Sequence, residues 1–295
     1  MIAFIGVVFL SLANTIMKKI SSDNGKWGLD IYADLVFQYA FVAFIAFIVA
    51  ALGSKQGFLP VFVNPLHYLL LVLLGIIGYA GIWSFLRGFE KANTGVVSII
   101  ASLNVFIGYF INITLFPNLE QLSIWKIMIA ILFFLLISFF MRETGKSGKK
   151  VFQKHLMYPF LTAFSRAFFF NITNYFIKSE VMSSLQAVFM SEFSVFVAAV
   201  IVYVFVKKGN MKALTQQTLG NLSPYFFIGI FLVTGAMFMG YSYSLIPANV
   251  TNVIRLFGVM LTAVFTYFFL HDLLTKRQCI LMIGAFILLV IFVFI

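Results

Sequence analysis

A chain of 295 residues that is 62% hydrophobic, 18% aromatic and only 10% charged, with a mean hydropathy of +1.06, has the composition of a membrane protein and excludes a soluble globular domain. The net charge of +11 does not point to nucleic acid, because the basic residues sit in connections between apolar runs, where they face anionic headgroups and set topology. Cys279 is the single cysteine, so no intrachain disulfide forms, and with three separated histidines it offers no metal-ligand spacing. No phosphate-binding loop, dinucleotide fingerprint or nucleophile elbow is present, which disfavours an ATP-driven pump and leaves no cofactor to expect.

In chain order the sequence begins on an apolar run followed, not preceded, by Lys18-Lys19, the reverse of a signal peptide's charge order; it is read as a first span. Ten apolar segments follow one another, approximately 2–17, 32–53, 66–86, 94–115, 123–141, 156–177, 184–206, 222–245, 248–270 and 275–294. A bilayer core takes about 20 helical residues to cross, so the expectation is an all-α integral membrane protein of ten transmembrane helices. The connections carry turn or polar chemistry: SerSerAspAsnGly at 21–25, ProAsn at 117–118 and GlyAsn at 209–210. The longest charged connector, MRETGKSGKKVFQK at 141–154, falls at the middle of the chain and reads as a basic linker (142–154) between halves 1–141 and 155–295.

The halves repeat. LRGFEKANTGVVSIIASL (86–103) aligns with FMGYSYSLIPANVTNVIRL (238–256) across a one-residue gap, and LEQLSIWK (119–126) then sits opposite HDLLTKRQ (271–278) at nearly the same offset. Five spans per half is an odd number, so the second half enters from the opposite side, the inverted-repeat plan of many secondary transporters. Basic residues concentrate in alternate loops, with Lys18, Lys19, Arg87, Lys149, Lys150, Lys207 and Lys208 in one set and only Lys55, Lys126 and Lys178 in the other. The positive-inside rule makes the first set cytoplasmic and puts both termini outside.

Three ionisable residues lie well inside spans: Arg166, Glu192 and Arg255. An intramembrane arginine costs about 2.5–3.5 kcal/mol even on the lenient insertion scale, so each must face protein or water. At about 100° per residue, Thr251, Asn252, Arg255, Thr262 and Thr266 fall on or near one helical face. At about 1.5 Å per residue, Arg255 and Glu192 lie at matched depths and could meet, with Arg166 near the midplane. A structural salt bridge would explain that pair. Two arginines against one glutamate nevertheless leave a surplus positive charge, which a substrate carboxylate or phosphate would neutralise through arginine's bidentate fork. Glu192 would take an ammonium group or carry a coupling proton. Ser98, Ser102, Tyr109 and Asn112 share a face of the fourth span and form a second candidate lining. Of Tyr241 and Tyr243, on alternate faces, one lines the cavity and the other packs. Gly75, Gly78 and Gly81 recur every three residues, a spacing for close helix contact.

The stretch ANTGVVSIIASLNVFIGYFINITLFPNLEQLSIWKIMIAILFFLLI (92–137) resembles the drug/metabolite transporter superfamily, in particular its EamA-like ten-span members: a helix, a turn with an acidic residue, a hydroxyl start and a last apolar helix. Glu120 and Asp272 match the acidic position in the two halves, and Ser123 and Thr275 the hydroxyl position. Where relatives often carry Glu-Pro in the fourth helix, this chain has Asn104-Val105, and Phe257-Gly258 in the second copy. The resemblance implies a secondary transporter of the cell membrane, an exporter of small polar metabolites such as amino acids, and no enzyme. A flippase for lipid-linked sugars is the nearest alternative, and a membrane-embedded enzyme acting on phosphate groups a more distant one. The expected partners are the small-molecule substrate, the lipid bilayer and a proton; the expected site is Arg255, Glu192, Arg166, Asn252, Thr251, Ser102, Tyr109 and Asn112.

Overall fold

The structure, a computed structural model, describes residues 1–27, 30–53, 57, 59–62, 64–91, 94–115, 122–144, 150–152, 156–208, 222–246, 248–271 and 275–295, with the backbone alone for some of these, Asn252 and Arg255 among them. The described chain is helical apart from one short hairpin. Its elements are α1 (Ile2–Trp27), α2 (Ile31–Gly53), α3 (Pro65–Lys91), α4 (Thr94–Ala101), α5 (Asn104–Leu115), α6 (Ile124–Met141), the hairpin β1 (Arg142–Thr144) and β2 (Lys150–Phe152), then α7 (Met157–Lys178), α8 (Ser184–Val206), α9 (Ser223–Leu245), α10 (Ala248–Leu270) and α11 (Lys276–Phe294).

Six of these helical stretches are long and apolar enough to cross a membrane: Ile2–Ile20, Ile31–Gly53, Pro65–Glu90, Val96–Leu115, Ser184–Val206 and Ser223–Leu245. Three shorter apolar helices, Ile124–Ser138, Met260–Leu270 and Cys279–Phe292, accompany them. α7 is not among the nine, and the reason is chemical: Thr162, Ser165, Arg166, Asn171 and Asn174 lower its hydropathy.

Three features differ from expectation. The polar residues 21–25 form no turn, because α1 runs on through them to Trp27. The basic linker contains strands: β1 pairs antiparallel with β2, Glu143 opposite Val151. The fourth span is interrupted between α4 and α5. There the Ser102 N–H reaches both the Ser98 carbonyl (3.0 Å) and the Ile99 carbonyl (3.1 Å), and Val105 bonds to Ser102, three residues back. A tightened turn inside a helix marks a hinge or a strained site. The ProAsn and GlyAsn connections, Glu120, Asp272, Lys55 and Lys149 lie outside the described residues.

The helices pack in related pairs. α1 lies on α9 as α3 lies on α7; α1 meets α10 as α7 meets α4 and α5; α2 touches α9 as α3 touches α8. α2 pairs with α8, α6 with α11, and α4 with α10. Missing side chains make the tightest approaches. A Cβ at Gly75 would sit 2.5 Å from the Ser194 carbonyl oxygen of α8, one at Gly78 2.5 Å from the Val195 methyl, and one at Gly81 2.9 Å from the Ser165 Cβ of α7. α3 therefore wedges between α7 and α8 along the glycine row the sequence spaces for it.

One end of the bundle is basic. Lys18 of α1 donates to the Phe89 carbonyl near the end of α3, where carbonyls lack helical partners. Arg87 pairs with Glu90 at 2.8 Å, and Lys207, just past α8, pairs with Asp30, just before α2. Asp34 and Tyr225 are buried together beside them. At the opposite end Ser183 and Gln186 form a capping box for α8, and the Gln186 amide donates to Gly57 at 2.9 Å. Phe62 is buried there against Phe176 and His67.

The hydrogen bond that Lys207 donates to Asp30 holds its ammonium above the ordinary lysine range. Whatever stability it lends is therefore complete below that range, through neutral pH, and is lost only as pH climbs past the raised value. Both partners are about one-third exposed, at 39% and 33%, and solvent screening keeps exposed pairs weak. Lys207→Ala is accordingly expected to change the melting temperature by no more than about 2 °C at neutral pH. A larger loss by differential scanning fluorimetry would show that the pair is a structural clamp.

Candidate functional site

Several of the polar residues inside the helices converge on a central cavity of about 200 Å³. α7 contributes Ser165, Arg166, Phe169, Phe170 and Thr173, and α8 contributes Val188, Ser191, Glu192 and Val195. α1 brings Ser11, Asn14 and Met17; α3 brings Gly78, Gly81 and Phe85; α2 adds Tyr39. Ser98, Ser102 and Asn104 border it from the α4–α5 interruption, Met239 and Tyr243 from α9, and Gly258 and Thr262 from α10. Among the described residues, none from α6 or α11 lines this wall.

Arg166 and Glu192 thus face one space. The Arg166 guanidinium carbon lies over the Phe85 ring, 3.9 Å from its centroid, a cation–ring contact that holds the group at the cavity wall. Glu192 is buried, with 6% of its surface exposed. The Tyr39 phenol lies within electrostatic reach of both. Serine hydroxyls at positions 11, 98, 102, 165 and 191 add small polar groups to a wall that is otherwise aromatic and aliphatic. A mainly apolar cavity with a few convergent polar groups is the usual form of a small-molecule site. The charges are complementary to a zwitterion, since a guanidinium fork matches a carboxylate and a glutamate matches an ammonium.

The cavity reaches unequally toward the two ends. Its wall includes Ile177, next to the end of α7, and Tyr243, close to the end of α9. Toward the basic end it stops at Met17, Tyr39 and Phe85, beyond which Leu35, Leu86, Phe89 and Val97 are fully or almost fully buried. The hydroxyls of Ser84 and Thr162 close that floor, 2.8 Å apart.

The residues singled out in the sequence separate into three groups. Arg166, Glu192 and Ser102 border the cavity together. Tyr109, Asn112 and Thr251 lie elsewhere. Tyr109 accepts the Ser123 N–H at 2.6 Å and packs against Phe292, joining α5 to α6 and α11. Asn112 is buried, its Oδ1 without a hydrogen-bond partner among the described residues, and Thr251 is fully buried. The side chains of Asn252 and Arg255 lie outside the described residues; along the backbone Arg255 falls three and seven positions before Gly258 and Thr262, both in the cavity wall. Tyr243 lines the cavity and Tyr241 is 51% exposed.

α1, Tyr39 and Phe85 are site components that sequence reasoning passed over. Ser11, Asn14 and Thr15 in SLANT stand three and four apart on one face of an apolar helix, a signal that could have found α1. A second, small polar pocket, between Asn104, Gly108, Asn171 and Asn174, adjoins the central one through Phe170 and Tyr243. There the Asn171 amide donates to the carbonyls of Gly108 (3.3 Å) and Ala167 (2.8 Å), and a Cβ at position 108 would meet that amide nitrogen at 2.9 Å.

No family model and no curated protein matches the chain. In fold it is similar to a protein of known crystal structure, with a TM-score of 0.56 and 11% sequence identity over 97% of this chain and 98% of that one. The likeness is one of fold. It extends over nearly the whole length of both chains.

Proposed function

We propose that this chain is a secondary transporter of the cell membrane that moves small polar metabolites, amino acids or related compounds, by alternating access. One observation carries the reading: a cavity inside a bundle of apolar helices, with Arg166 and Glu192 in its wall, reaching toward one end and filled at the other. An enclosed charged pair that only braced the helices would need no such space. Arg166 binds the carboxylate, and Glu192 receives the ammonium or a coupling proton. The ten-span, two-repeat plan is part of the proposal. Its support is the pairing of helices, most of which is preserved when α1, α2, α3, α4–α5 and α6 are exchanged with α7, α8, α9, α10 and α11. On this plan the α4–α5 interruption is a broken helix at the substrate site, where transporters commonly place one.

A thermal-shift screen of the purified protein against amino acids, nucleobases, sugar phosphates and hydrophobic cations tests the reading, because a ligand that binds the folded state stabilises it by mass action. Zwitterionic amino acids are expected to raise the melting temperature by about 2–8 °C at saturation, and the same compounds should exchange across liposomes containing the protein. A shift only with sugar phosphates would transfer the site to another substrate class. No shift with any compound, together with no exchange, would remove the transport reading.

A further inference from the structure

Arg166 does not end at the cavity wall. Its guanidinium rests on Phe85 at 3.9 Å, and the Phe85 ring contacts the Phe89 ring with centroids 4.1 Å apart. The Phe89 ring in turn lies 5.7 Å from the Lys18 ammonium, and the Phe89 carbonyl accepts a hydrogen bond from the same ammonium. Cation, ring, ring and cation therefore form a continuous row of contacts, with the two rings tilted by 51°, through α7, α3 and α1, from the cavity to the filled basic end. Phe85 and Phe89 are each 1% exposed, so the stack runs through dry protein, where cation–ring attraction is strongest. Both rings stand one turn apart on α3, the helix whose glycine row is clamped between α7 and α8.

We propose that this stack couples the binding site to the closure of the basic end: a carboxylate that draws the Arg166 fork off Phe85 loosens the ring pair and, through Phe89, the lysine that ties α1 to α3. Phe85 is then a positioning residue for Arg166, and Lys18 a closing residue that touches no ligand. The proposal rests on the transport reading for its purpose; the stack itself does not. Its physical content is that one ligand's differential contact with two states shifts their balance, and that removing a link anywhere along the stack has the same consequence.

Accessibility of a cysteine beyond the floor provides the test. In a Cys279→Ser background, Val97→Cys places a thiol at a fully buried position at the basic end, and its rate of modification by a charged thiol reagent reports opening. Lys18→Met, Phe85→Leu and Arg166→Met are each expected to raise that rate roughly tenfold, the size of an ordinary coupling between sites. Phe85→Tyr, which keeps the ring, should restore the parent rate. The double variant Lys18→Met/Phe85→Leu should react no faster than either single variant, whereas Leu86→Ala, which loosens packing outside the stack, should multiply with Lys18→Met. Multiplying effects of Lys18→Met and Phe85→Leu, or an unchanged rate in Arg166→Met, would overturn the coupling. L-leucine serves as a ligand probe in the same assay and should speed modification in the parent but not in Arg166→Met. If leucine neither binds nor speeds modification, transport of this substrate class fails, while the variant rates still decide the stack.

Discussion

Arg166→Lys should give a folded protein that transports about 10–100-fold more slowly, because one charge-assisted bond of the bidentate pair, worth about 1.5–3 kcal/mol, is lost with the fork. Lysine keeps the charge but presents a compact, strongly hydrated point, without the planar fork that lies over Phe85. Glu192→Gln separates the two roles open to the glutamate. If the side chain takes an ammonium, binding in the thermal-shift screen weakens; if it carries the coupling proton, exchange of substrate persists while accumulation against a gradient disappears. Fully active Arg166→Lys and Arg166→Met proteins would defeat the binding role and leave an arginine that only braces α7 against α3.

The second large effect concerns packing. Gly75→Leu should destabilise the protein by about 3 kcal/mol or prevent its folding, since overpacking a fitted contact typically costs about 1–3 kcal/mol and this one meets backbone. The obstacle is the Ser194 carbonyl oxygen, 2.5 Å from where the first side-chain carbon would stand, and a carbonyl held in a helix cannot turn aside. Gly284→Ala is the control: its nearest neighbour would be a Leu136 methyl at 3.4 Å, an ordinary contact, and its melting temperature should stay within about 2 °C of the parent. Equal behaviour of Gly75→Leu and Gly284→Ala in detergent-solubilised protein would show that α3 can move off α8 without penalty.

How much of this could be read from the chain depends on the range of the signal. Helix placement was legible because a span needs a long apolar run, and the glycine row on α3 was legible because close approach needs a fixed period. The presence of Arg166 and Glu192 inside helices was equally open to view, since a charge stands out against apolar neighbours. Sorting by face was beyond reach in a bundle where nearly every surface is apolar. Tyr109 and Ser102 share a face of one aligned stretch, but they stand on opposite sides of the interruption between α4 and α5, and Ser102 meets the cavity while Tyr109 meets α11. Composition also misjudged the ends: α1 continues through SerSerAspAsnGly because residues beyond the bilayer can stay helical with water at their exposed carbonyls. Phe85 carries no mark at all among 39 phenylalanines until its neighbours are known.

The polarity of α7 has a consequence for how the protein is made. A helix bearing Arg166, Asn171 and Asn174 is a poor substrate for the insertion machinery, which admits segments by their own partition free energy and charges about 2.5–3.5 kcal/mol for a central arginine. It comes after a basic, water-seeking hairpin and precedes Ser184–Val206, one of the apolar spans. On the proposed ten-span plan α7 therefore enters the bilayer only with the help of α8, while α9, which also packs on it, is still to come, so that the second half of the chain is born dependent on its own next segments.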